Sequence, residues 1–222
     1  MPRTKKSTLT KSQKSEVRRI ANQMMDAQEE DKGFVYTSEN RQLLHNKLDY
    51  VAKFLADIQQ GTATGDQSNT GIGEKTCRLG DRIRLKNINI RLWLSNKFDR
   101  PNCMYKGILY WYPVGVAPTD DMVYKTQSNK MLDRYNNKVI KVIDTFIVQS
   151  KEDYSVVEKE KSYLATLNKS YKNKLIQYDN NGAVTKGWEL GLTVVVYDAF
   201  GTLQTDNIAS YAYQSLITFE DA

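Results

Sequence analysis

The hydrophobic pattern of this 222-residue chain settles into a period of two after Gly80, and that change constrains the fold more than any other feature. Over residues 82–95 (RIRLKNINIRLWLS) apolar side chains alternate with polar ones. They fall first at Ile83 and Leu85, then one position out of phase at Ile88, Ile90, Leu92 and Leu94. Alternation marks a strand with one buried face, and a one-residue slip exchanges the faces, so the pattern predicts a bulge near Asn87. Further strands are expected over 104–112, 138–149, 155–159, 163–171, 174–178, 189–198 and 208–219. Turn residues divide them: Asp99-Arg100-Pro101-Asn102, Pro113 to Asp121, Asp179-Asn180-Asn181-Gly182 and Ala199-Phe200-Gly201. Eight strands without helices between them predict an all-β, antiparallel sandwich or barrel. A parallel sheet would need crossover helices that the pattern lacks.

Ahead of the strands the period is helical. Val17, Ile20, Ala21, Met24 and Ala27 recur at three- and four-residue spacing, with Ser15 as the expected N-cap. Arg18 and Arg19 near the start and Asp26, Glu29, Glu30 and Asp31 near the end oppose the helix dipole, so this helix needs a partner surface. Gly33 ends it, and Phe34-Val35-Tyr36 reads as a short strand. Leu44, Leu48, Val51, Leu55 and Ile58 fit a helical face. Residues 59–81 are polar and glycine-rich, an irregular connection. Their GIGEKT lacks the glycine directly before lysine that a phosphate loop needs. The connection over 114–137 is long enough to have a role of its own, with a short helix expected at 129–135. The expected organisation is a basic arm without fixed structure (1–14), an amphipathic helix (15–32) and a β domain (33–222).

Charge is unevenly placed. The formal net charge is +6, from 32 Lys and Arg against 26 Asp and Glu. Residues 1–19 hold Arg3, Lys5, Lys6, Lys11, Lys14, Arg18 and Arg19 against Glu16 alone, an excess of six, so the remainder balances at 25 of each sign. A cationic arm on a neutral globule suits a polyanion, above all nucleic acid, because each cation can replace a condensed counterion. The alternatives are a solubilising tail or a bipartite nuclear import signal, with Lys5-Lys6 and Arg18-Arg19 as its two clusters.

Enzyme chemistry finds little support, and no cofactor is required. His45 is the single histidine, and Cys77 and Cys103 have no second histidine to pair with. Two cysteines and one histidine make neither a disulfide framework nor a usual zinc site. Asp120-Asp121 and Glu220-Asp221 read as solvated charges. Trp93, Tyr110, Trp111, Tyr112, Tyr211 and Tyr213 alternate along strands, which serves core packing or base stacking on an open sheet face. The sequon Asn168-Lys169-Ser170 means little without a secretory signal. No run approaches the roughly 18 apolar residues of a membrane span. The start MPRTKKSTLTKSQKS has no apolar signal core, so a soluble, intracellular protein without a membrane partner is expected.

The order of these features resembles a known family. A basic arm and the helix SEVRRIANQMMD lead into a glycine-polar linker and RLGDRIRLKNINIRLWL. GILYWYP, NNKVIKVIDTFIV, KNKLIQYDNNG, ELGLTVVVYDA and a terminal FEDA follow. This is similar to the single jelly-roll capsid proteins of satellite tobacco necrosis virus and of small circular single-stranded DNA viruses. The resemblance implies an eight-stranded jelly-roll sandwich and an icosahedral shell of sixty self-assembled copies. It also implies an arm projecting onto a packaged single-stranded genome, DNA or RNA. The protein would then reside in the virion, and in the host nucleus or cytoplasm during assembly. It further implies calcium between subunits, with Asp221 as a ligand. Two other readings remain: a non-assembling jelly-roll module for carbohydrate, and a barrel binding single-stranded nucleic acid. The second would place charge on a sheet face.

Overall fold

The computed structural model describes residues 10–28, 31–61, 77–149, 161–180, 182–199 and 203–222. The chain divides into two compact units, residues 1–31 and 32–222. In the first, helix α1 spans Lys11–Gln28 and so starts four residues before the expected Ser15 cap. The cap is Thr10. Its Oγ1 accepts from the Gln13 amide (3.3 Å) while the Gln13 side chain accepts from the Thr10 amide (3.0 Å). This is the reciprocal Thr-x-x-Gln box, which satisfies two otherwise orphaned donors. Residues 11–14, expected to lack fixed structure, are therefore the first helical turn.

The second unit holds eight strands: β1 (Lys32–Leu44), β2 (Leu48–Val51), β3 (Arg82–Asn96), β4 (Cys103–Pro113), β5 (Lys141–Val148), β6 (Ser162–Gln177), β7 (Trp188–Asp198) and β8 (Asn207–Asp221). They form two antiparallel four-stranded sheets, β1-β8-β3-β6 and β2-β7-β4-β5. That order is the double Greek key of a jelly roll. The main core lies between the sheets, where inward residues of β3 such as Ile83, Leu85 and Ile88 meet Leu190, Leu192 and Val194 of β7. No helix among the described residues is long and apolar enough to cross a membrane.

The bulge lies where the slip predicts it. Leu85 pairs with Phe219 and Asn87 with Thr218, so β3 carries one extra residue and its hydrophobic set changes phase without leaving the core. Three expectations are corrected. The helical spacing of residues 43–58 belongs to the end of β1, to β2 and to a turn at 54–57. Asn46 and Lys53 adopt φ of 52° and 66°, which breaks any helix there. The short strand at 34–36 is part of a 13-residue strand whose register shifts at Glu39 and Asn40 (φ 55°). The strands expected at 163–171 and 174–178 are one strand, β6, interrupted at Asn173 (φ 57°). The strand expected at 155–159 lies outside the described residues.

The connection from β4 to β5 folds back over the outer side of the second sheet. Met122, Val123, Tyr124 and Ile140 bury Ile108, Tyr110 and Tyr112, which explains why β4 is hydrophobic without alternation. Its helix is α2, Asp120–Val123, not the expected 129–135. Polar pins hold it: Tyr50 donates to Asp120, Lys130 Nζ lies 3.1 Å from Asp120, and the Lys130 amide donates to Asn46 (2.9 Å). The second sheet is thus covered on both faces. Among the described residues of the body, the first sheet is covered only on its inner face.

Candidate functional site

Of the seven cations expected to contact nucleic acid, Arg3, Lys5 and Lys6 lie outside the described residues. Lys11, Lys14, Arg18 and Arg19 are exposed on α1. At 100° per residue, positions 11, 14 and 18 share one face. Val17 (52% exposed) and Ile20 lie on another. Arg19 is turned to Glu16, with Nη2 2.6 Å from the carboxylate, a pair that salt screens. Lys11, Lys14 and Arg18 therefore form the basic stripe of the helix.

Asp221 is already committed within the body. Its carboxylate is the counterion of the buried Lys32 ammonium and accepts from the Leu79 amide (2.9 Å). Among the described residues, no group of three His, Cys, Asp or Glu could hold a metal ion. An ion at Asp221 would share this carboxylate with Lys32 and the Leu79 amide.

The candidate reactive groups are structural. The His45 Nδ1 accepts from the Asp198 amide (3.1 Å), and its ring packs against Tyr197. Burial lowers its pKa, while Asp198 and Asp206 pull the other way. Burial pushes the Cys103 thiol up to about 12, the opposite of what a nucleophile requires. Asp120, expected to be solvated, holds the α2 connection in place as described above. Of the six strand aromatics, Tyr110, Trp111, Tyr112, Tyr211 and Tyr213 are buried, and Trp93 is 57% exposed.

At the end of the sandwich where β2, β4 and β6 lead out, a cavity of about 580 Å³ is walled by Ala56, Val114, Pro118 and Val184, with Glu189 at its edge. The Glu189 carboxylate accepts from the Leu55 and Leu190 amides (both 2.9 Å) and from Thr185 (3.2 Å). Burial nonetheless raises its pKa, more than these donors lower it. A raised folded-state pKa means stability that is fully present below the unfolded value of about 4.5 and is lost as pH rises through the folded value. Glu189→Gln keeps one acceptor oxygen for the Leu55 and Leu190 amides, turns an amide donor toward Thr185 Oγ1 and cannot ionise. Melting curves of the two proteins are expected to coincide near pH 4 and to separate by about pH 8, with the variant more stable. A constant difference across that range would assign the effect to packing instead.

No protein-family model and no curated protein matches the chain. Solved virus structures align with the chain at low identity. A chain of Desmodium yellow mottle tymovirus aligns over 100% of this chain and 95% of its own, at 10% identity and a TM-score of 0.36. Mud crab tombus-like virus aligns over 90% and 97%, at 11% identity and a TM-score of 0.35. Turnip yellow mosaic virus aligns over 87% and 82%, at 10% identity and a TM-score of 0.34. Scores this low add nothing to the strand order, and it is the strand order that makes this chain a jelly roll.

Proposed function

We propose that the chain is a coat subunit that assembles with copies of itself into a closed shell of sixty and packages single-stranded nucleic acid through its basic N-terminal segment. The observation that carries this reading is the division of charge. Residues 1–19 hold an excess of six cations, whereas the compact β body of 191 residues that begins at Lys32 holds 25 cations against 21 acidic residues. A body of low net charge for its size lets many copies pack with little mutual repulsion, while the cations of residues 1–19 meet phosphates without base specificity. The two ends of the sandwich expose different apolar residues. Phe98 and Leu203 stand on one side, Val116 and Val184 on the other. Unlike surfaces that meet head to tail are what a ring around a symmetry axis requires. Asp221 enters this reading as the partner of Lys32.

Sedimentation and electron microscopy of the purified protein, with and without single-stranded oligonucleotide, test assembly. Uniform closed particles are expected, and a monomer at every concentration would favour the non-assembling binding module. The packaging role has its own test. Six engaged charges at about 0.7 each give a slope of about −4 for log affinity against log salt concentration. Deleting residues 2–19 is expected to flatten that slope and leave the circular dichroism of the body intact. A slope unchanged by the deletion would remove the segment from the binding reaction.

A further inference from the structure

The charge of the body is not evenly spread. β3 and β6 carry seven lysines and arginines and no acidic residue. With β1 and β8 the first sheet has nine cations against Glu39, Glu220 and Asp221. The strands of the second sheet hold Lys106 and Lys141 against Asp49, Asp144, Glu189 and Asp198. The small net charge of the body hides a cationic sheet behind an acidic one.

The cationic sheet is also the one whose outer face the described residues of the body leave open. Along β3 that face presents Arg82, Arg84, Lys86, Asn89, Arg91 and Trp93, each opposite in direction to a buried neighbour. Lys86 is paired to Glu220 (2.6 Å). Trp93 stands between Ala212 of β8 and Leu164 of β6, itself 85% exposed. Arg91, exposed one step along the same face, lies between Gln214 and Thr166. Beside the indole is a hollow of about 280 Å³ lined by Asn40, Ser95, Ser210 and Glu39. An exposed indole in the middle of a sheet, with a cation two residues away and amide and hydroxyl groups around it, has the composition of a base-stacking platform.

We propose that the outer face of the β1-β8-β3-β6 sheet is a second contact surface for single-stranded nucleic acid, with a base stacked on Trp93 and phosphates drawn to Arg91 and the cations nearer the start of β3. Charge complementarity selects this occupant. A neutral sugar also stacks on an indole, but it draws nothing from an excess of six cations, and the acidic sheet of a second copy is covered on its outer side by the β4–β5 connection. The proposal deepens the packaging reading and rests on it for the identity of the ligand, while the residues concerned are separate from residues 1–19.

The test uses the full chain and a 20-nucleotide oligo(dT). Trp93→Ala is expected to weaken binding about 5- to 100-fold, and Trp93→Phe, which keeps a ring, by much less. Arg91→Ala is expected to reduce the salt slope by about 0.7. The oligonucleotide is expected to quench tryptophan fluorescence in the native protein and much less in Trp93→Phe. Far-ultraviolet circular dichroism of each variant confirms the fold, and Trp93→Phe carries the test if Trp93→Ala does not fold. Binding unchanged within twofold in Trp93→Ala, while deletion of 2–19 abolishes it, would overturn this face and leave the N-terminal reading standing. Loss in Trp93→Ala with no effect of the deletion would do the reverse. Quenching by a neutral oligosaccharide but not by oligo(dT), or loss of assembly in Trp93→Ala with oligo(dT) affinity unchanged, would also overturn the proposal.

Discussion

Arg78→Ala is expected to destabilise the body by about 3–5 kcal/mol, enough to threaten folding in a domain whose total is of order 5–15 kcal/mol. The guanidinium is fully buried. It donates to the carbonyls of Ile58 (3.3 Å), Gly80 and Gly182, and lies 3.5 Å from the Asp81 carboxylate. Its carbon sits 3.9 Å from the centre of the Tyr178 ring. The Arg78 backbone extends the clamp, since its amide donates to Gln59 (3.1 Å) and its carbonyl accepts from Gly61 (3.0 Å). One side chain therefore ties the β2–β3 connection, the start of β3 and the β6–β7 connection. Removal leaves several buried carbonyls without a donor, each costing about 1–3 kcal/mol. Arg78→Lys is expected to recover little, because an ammonium on a flexible stem cannot reproduce a planar fork that stacks. Urea unfolding followed by circular dichroism measures both variants. A loss below about 1 kcal/mol for alanine would show that water can replace the clamp.

Lys106→Met is expected to cost about 2–4 kcal/mol and to loosen one segment selectively. Lys106 points to the outer side of β4, where its ammonium donates to the carbonyls of Lys130 (2.9 Å), Met131 (3.3 Å) and Asp133 (3.1 Å), between the rings of Tyr124 and Tyr135. Burial lowers its pKa, with Asp133 opposing, so the position holds a cation at some expense. Methionine keeps the stem and the packing but leaves three carbonyls facing it. Limited trypsin digestion is expected to cut the variant at Lys125, Lys130 or Arg134 well before the native protein, while hydrogen exchange in β3 and β8 stays slow. Uniform acceleration over the whole body would mean that the connection and the sandwich unfold as one unit.

These two cations show where the sequence stops being readable. The strands of the sandwich are legible because one face of each is buried and the alternation survives in print, including the phase slip at Asn87. β1 is hidden because its TSENRQ stretch lies at a sheet edge, where both faces of the strand meet water. β2 is hidden because four residues are too few to display a period. The Thr10–Gln13 box was readable as Thr-x-x-Gln, but Ser15 lay closer to the apolar stripe. Arg78 and Lys106 look like any surface cation, since nothing local says that carbonyls from distant segments will surround them. The same holds for charge by sheet. Balance along the chain is visible in composition, whereas its division between two sheets appears only when β3 and β6 are known to be neighbours.

The position of β8 has a consequence for synthesis. It is the eighth strand in sequence, yet it lies between the first and the third and pairs with both along most of their length. On the ribosome, β1 and β3 emerge without the neighbour that joins them, and they wait through the translation of more than a hundred residues after β3. Pairing at such separation is slow and leaves strand edges open in the nascent chain. A product that stops before β8 keeps only the β3–β6 pair of the first sheet and leaves β1 stranded, so an interrupted message yields a polypeptide that cannot complete the sandwich.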